Sequence, residues 1–75
     1  MRPSQYAAAY AAMTPAELMR VIDYLRQQHE YAYDEAISRL HQCIQASERG
    51  DQHAKDVAAG QAAFAENRAH AVAAR

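Results

Sequence analysis

From Thr14 to Gly50 the chain carries both ends of a helix and nothing between them that would stop one. In Thr14-Pro15-Ala16-Glu17, the Thr14 hydroxyl can accept from the free N–H groups of a first turn. Pro15 sits where its missing N–H costs nothing, and Glu17 can reach back to the cap. At the far end Arg49 suits the negative pole of the helix, and Gly50 can take the left-handed conformation that closes it. A single helix over residues 15–49 would be about 52 Å long. The rest of a 75-residue chain is too short to cover such a rod. The expectation is therefore all-α: a short N-terminal helix over 4–12 and a long antiparallel hairpin of helices 15–49 and 52–74. Two copies would complete a four-helix-type bundle. A break near Gln28–Tyr31 would instead give two helices and a compact monomer, although no Gly, Pro or Asn marks one.

Composition supports a helical chain with a thin core. Of the 51% hydrophobic residues, half are alanine, 19 in all, while Val, Leu, Ile and Phe together number ten. Alanine is the best helix former, and with a net charge of −1 the chain lacks the charge excess of a disordered one. The same near-neutral charge argues against a nucleic-acid binder, which needs a basic stripe to displace counterions. One cysteine allows no internal disulfide and suits a reducing compartment. No apolar run approaches the length of a membrane span, and the apolar stretch after Met1-Arg2 is too short for a secretory leader. The expected setting is cytoplasmic.

Steps of about 100° per residue place Leu18, Ile22, Leu25, His29, Tyr33, Ala36, Leu40 and Cys43 on one face of the central helix. In the first helix Tyr6, Tyr10 and Met13 make a narrow stripe on an otherwise alanine surface, so that helix must dock on something. Gly50-Asp51 reverses the chain, with Asp51 as the next cap. The last helix has Val57, Phe64 and Val72 as its large apolar anchors, and Ala54, Val57, Ala58, Gln61, Ala65, Arg68 and Val72 share a face. Gly60 in its interior costs about 1 kcal/mol against alanine.

Chemistry is hard to find. The four histidines, His29, His41, His53 and His70, include no i, i+4 pair, and there is no Cys-x-x-Cys or His-Glu-x-x-His. Glu66 and His70 are four apart, but the expectation is no metal and no cofactor. Cys43, beside Leu40 and Ile44 and far from any helix N-terminus, reads as a small apolar residue rather than a reactive thiol. No Ser/His/Asp order or Gly-rich phosphate loop occurs, so no enzyme is expected. Tyr33-Asp34-Glu35-Ala36-Ile37, followed by Leu40, Cys43 and Ile44, resembles the second helix of a tetratricopeptide repeat over about a dozen residues. The glycine before it and the Trp-Leu-Gly-Tyr pattern of the preceding helix are missing, and the resemblance implies nothing about function.

The outer face of the central helix is the informative one. Tyr24 and Tyr31 point roughly 160–180° away from the centre of the apolar stripe, with Arg20, Gln27, Gln28 and Asp34 around them. Tyrosine beside arginine, framed by short polar groups, is the composition of binding hot spots. The expected partner-binding residues are Tyr24, Tyr31, Arg20 and Gln27, joined by Tyr6 and Tyr10. Alternatively the first helix folds back and covers the two outer tyrosines. The function expected is a non-catalytic adaptor, inhibitor or regulator that occupies another protein's surface. A small helical transcriptional regulator is the alternative, although the eight basic residues are scattered. A dimeric metal-binding sensor is a third.

Overall fold

Thr14 and Glu17 cap each other as the sequence predicts. In the computed structural model, which describes residues 3–28 and 31–73, the Thr14 N–H donates to Glu17 Oε1 at 3.0 Å and the Glu17 N–H to Thr14 Oγ1 at 3.2 Å. These bonds, the one from the Thr14 backbone first, hold the Glu17 carboxyl below its usual range. They open the second of four helices: α1 Pro3–Ala12, α2 Pro15–Gln28, α3 Asp34–Arg49 and α4 Gln52–Ala73.

The rod expected over 15–49 is thus two helices. α2 is described as far as Gln28, residues 31–33 form a turn, and the Asp34 N–H donates to the Tyr31 carbonyl at 3.4 Å. Coverage is the physical reason. The folded-back chain is 39 Å in its longest dimension, and its whole apolar stripe finds neighbours. Leu18, Ile22 and Leu25 of α2 share one core with Tyr33, Ala36, Leu40 and Cys43, and none of these is more than 3% exposed. The stripe read from the sequence is therefore the core, except for His29, which lies outside the described residues. Tyr33, ahead of α3, sits at φ −103°, ψ 10°, where no glycine is needed. Asp34 and Glu35 then occupy the first turn of α3, where acids favour the positive helix end.

At the next junction Gly50 has φ 73° and its N–H reaches the Ala46 and Ser47 carbonyls. The Asp51 N–H donates to the Ala46 carbonyl at 3.0 Å, and Asp51 Oδ1 accepts from the Ala54 N–H at 3.1 Å. This is the left-handed stop and fresh cap that Gly50-Asp51 predicts.

α3 packs against both α2 and α4, and α1 packs against α4. The order across the fold is therefore α2, α3, α4, α1. With a neighbour on two sides, α4 turns its alanines inward: Ala58, Ala59, Ala62, Ala63, Ala65 and Ala69 are buried. Val57 and Phe64, expected as anchors, are instead 46% and 60% exposed. Between two close helices a phenyl ring would hold the axes apart, whereas alanine lets them approach. The Val72 side chain lies outside the described residues. Two side chains from the first turn of α4 satisfy carbonyls at the end of α1, Lys55 Nζ reaching Met13 at 2.6 Å and Gln52 Nε2 reaching Ala11 at 3.5 Å.

A methyl group added at Gly60 would meet nothing within 4 Å, so no close approach requires that glycine. Gly60→Ala is expected to stabilise the fold by about 0.5–1 kcal/mol. Two residues on, Ala62 is fully buried, and Ala62→Leu should destabilise by about 1–3 kcal/mol through overpacking. Urea denaturation of the two variants checks both signs; a neutral Ala62→Leu would mean that α4 is loosely held.

Candidate functional site

Two charged side chains are buried among the alanines of α4, Lys55 at 8% and Glu66 at 5% exposure. Lys55 is accounted for by the end of α1. Glu66 accepts a hydrogen bond from the Tyr10 hydroxyl at 2.6 Å, and so ties α1 to the C-terminal half of α4. Burial first, and then this hydrogen bond to a carboxylate, push the Tyr10 phenol well above its usual range. One turn further along α4, His70 Nδ1 lies 3.1 Å from the Tyr33 hydroxyl, and the two rings meet edge to face at 5.5 Å. Burial, followed by the Glu66 charge, also raises the Tyr33 phenol.

Above these groups α1 and α2 do not close on each other. A groove of about 380 Å³ runs between them, lined by Tyr6 and Tyr10 from α1, Arg20, Val21 and Tyr24 from α2, and Glu66 and His70 from α4. The rings of Tyr6 and Tyr10 lie 6.1 Å apart, tilted by 32°. Tyr24 is 59% exposed on the rim, and Arg20 beside it is exposed.

Four of the six residues expected to bind a partner therefore line one groove: Tyr6, Tyr10, Arg20 and Tyr24. Tyr10 belongs to its floor rather than to the surface, because its hydroxyl is committed to Glu66. Tyr31, 81% exposed, lies away from the other four, in a separate groove with Arg26, Asp34 and Ile37. Gln27 is exposed on the last turn of α2 and lines neither groove. The one-heptad spacing of Tyr24 and Tyr31 aligns them only on an unbroken helix, and the turn at 31–33 separates them. Nor does α1 cover them, since it is held against α4. Glu66 and His70 complete the site. Glu66 is signalled in the sequence by its place among Ala59, Ala62, Ala63 and Ala69, where an apolar face receives an acid.

Elsewhere the chemistry is plain. Cys43 is buried and free, its thiol pushed up by burial, with Sγ 3.6 Å from the Lys55 carbonyl. Among the described residues, no three His, Cys, Asp or Glu side chains are placed to hold a metal ion. No described helix is long and apolar enough to cross a membrane. Comparison with family models, with curated proteins and with solved structures gives no match.

The protons on Tyr10, Tyr33 and Cys43 are held more tightly in the folded than in the unfolded chain. Their contributions to stability are therefore complete below the ordinary thiol and phenol values and are lost as the pH rises past about 9–10. Tyr10→Phe, which leaves the Glu66 carboxylate buried without its donor, should cost about 1–3 kcal/mol near neutral pH. It should also flatten the alkaline fall in stability. Urea midpoints measured from neutral to alkaline pH check both; parallel curves for the two proteins would deny the Tyr10–Glu66 bond its role.

Proposed function

We propose that the chain is a small, non-catalytic protein-binding domain, an adaptor, inhibitor or regulator that acts by occupying a partner's surface. The rim of the tyrosine groove is the contact. The observation that carries this reading is Tyr24, 59% exposed beside Arg20 at the mouth of a groove floored by the buried Glu66. Rigid tyrosine supplies contact area at low entropic cost, and an arginine beside it can pair a carboxylate. The core leaves Tyr24 outside, so its ring is free for a partner. The buried free thiol of Cys43 fits a cytoplasmic setting, where thiols stay reduced.

Self-association is a second reading, on a different surface. An uncovered apolar stripe does not support it, because α2 and α3 bury the stripe from Leu18 to Cys43 together. Its support is the furrow of about 420 Å³ beside Val57 and Phe64, flanked by Glu35, Arg39, Asp56 and Arg68. Two acids and two bases around an apolar centre could face their own copy across a two-fold axis.

A photo-crosslinking residue replacing Tyr24 should trap a heterologous protein, and the adduct should fall sharply when Arg20→Ala is added. The same group at position 64 should trap either nothing or a second copy. Tyr24→Ala itself should change stability by no more than about 0.5 kcal/mol, since its ring is exposed. Equal trapping at both positions, or adducts of only twice the chain mass at position 24, would defeat the heterologous reading.

A further inference from the structure

We infer that the groove receives an ammonium group, the side chain of a lysine on the partner protein, with Glu66 as its counter-ion and Tyr6, Tyr10 and Tyr24 along its stem. The inference rests on the protein-binding reading and gives it a chemistry. Glu66 is 5% exposed, and a buried carboxylate calls for a positive partner. No cation of the chain supplies one among the described residues. Lys55 is engaged with the Met13 carbonyl, and His70 Nδ1 is engaged with Tyr33. Arg20 lines the groove but makes no ion pair there, whereas Arg68 pairs with Glu35 at 2.7 Å.

The Tyr10 hydroxyl occupies Oε2 only. Among the described residues no buried side-chain oxygen lacks a hydrogen-bond partner, so Oε1, which has none, keeps some exposed surface, and Glu66 is part of the groove's lining. A single open oxygen selects between the two cationic side chains. An ammonium is a point charge satisfied by one oxygen, whereas an arginine held at a single oxygen, as Arg68 is on Glu35, forgoes the bidentate pairing that gives it an advantage over lysine. Tyrosine walls suit the same guest, because ring faces attract cations and apolar ring carbons cover an alkyl stem. Arg20 at the mouth then favours an acidic residue beside that lysine.

The test is an amide NMR titration of the full chain with Nα-acetyl-lysine methylamide, alongside its norleucine and arginine counterparts. A ligand this small should bind with a Kd of about 1–10 mM, moving the amides of residues 6, 10, 24 and 70. Norleucine, with the stem but no charge, and arginine should each bind at least about tenfold more weakly, and Glu66→Gln should weaken lysine about as much. Equal binding of norleucine and lysine would reduce the site to an apolar groove and overturn the proposal, as would lysine binding unchanged by Glu66→Gln. Tighter binding of arginine would overturn the choice of lysine. If Glu66→Gln does not fold, the lysine and norleucine titrations of the unaltered chain decide alone. No lysine binding together with an intact crosslink at position 24 would overturn this inference and leave the protein-binding reading standing. Lysine binding with no crosslinked protein would overturn the partner and leave a free amine as the guest.

Discussion

The fold depends on a helix with almost no side chains being buried from two directions. α4 lies between α3 and α1, and the faces it offers them are built from Ala58, Ala59, Ala62, Ala63, Ala65 and Ala69. Each methyl group buries little area, so the free energy of burial comes from the larger residues that reach towards this surface. Leu18, Ile22, Leu25, Leu40 and Cys43 are the largest fully buried side chains, and all five belong to α2 and α3. A smooth helix packed against α3 lets the two backbones approach closely and keeps the interior dense without many large residues. That is how a chain with ten Val, Leu, Ile and Phe residues closes a core. It also explains why Val57 and Phe64 are turned outward.

An alanine surface fixes a neighbour's position poorly, because it lacks deep grooves and polar direction. α1 is short, uncharged between Gln5 and Ala12, and too brief to hold itself as a helix. Its placement rests on polar contacts made by α4. Glu66 takes the Tyr10 hydroxyl, Lys55 takes the Met13 carbonyl and Gln52 takes the Ala11 carbonyl. Lys55 and Glu66 stand about 16 Å apart along α4, but the groups they and Gln52 hold, the Tyr10 hydroxyl and the Ala11 and Met13 carbonyls, all lie at the C-terminal end of α1, so that end is the one fixed. The two buried charges in the alanine helix are thus the means by which the first helix finds its seat.

Local chemistry was legible in the sequence, and partnership between helices was not. The Thr14–Glu17 box, the Gly50 stop and the Asp51 cap are short-range hydrogen bonds, and the residues that make them are adjacent in the chain. The stripe from Leu18 to Cys43 is likewise readable, because a period of 3.6 survives as long as each half is helical. The break between α2 and α3 was hidden because none of the described residues of its turn takes a positive φ. Tyr33 at φ −103° calls for neither Gly nor Pro, so tertiary coverage, not local propensity, decides where the helix ends. The same limit governed α4. Which of its faces turns inward depends on having two neighbours, and in the sequence Val57 and Phe64 looked like the natural anchors. At the candidate site, the exposure of Tyr24 and Arg20 was readable from their place opposite the apolar stripe, whereas the contact of α1 with Glu66 needed the fold.

The groove therefore has a structural floor and a free rim. Tyr10 and Glu66 hold α1 in place, while Tyr24 and Arg20 stand on α2 with no part in the core. A guest that meets Glu66 at Oε1 leaves the Tyr10 bond at Oε2 intact, so occupancy and the docking of α1 do not compete. It would reinforce that docking instead, because a cation beside the carboxylate offsets the cost of keeping it buried. Binding as proposed would be coupled to the least self-sufficient helix of the fold, and the side chain that positions α1 would be the one that selects the charge of its guest.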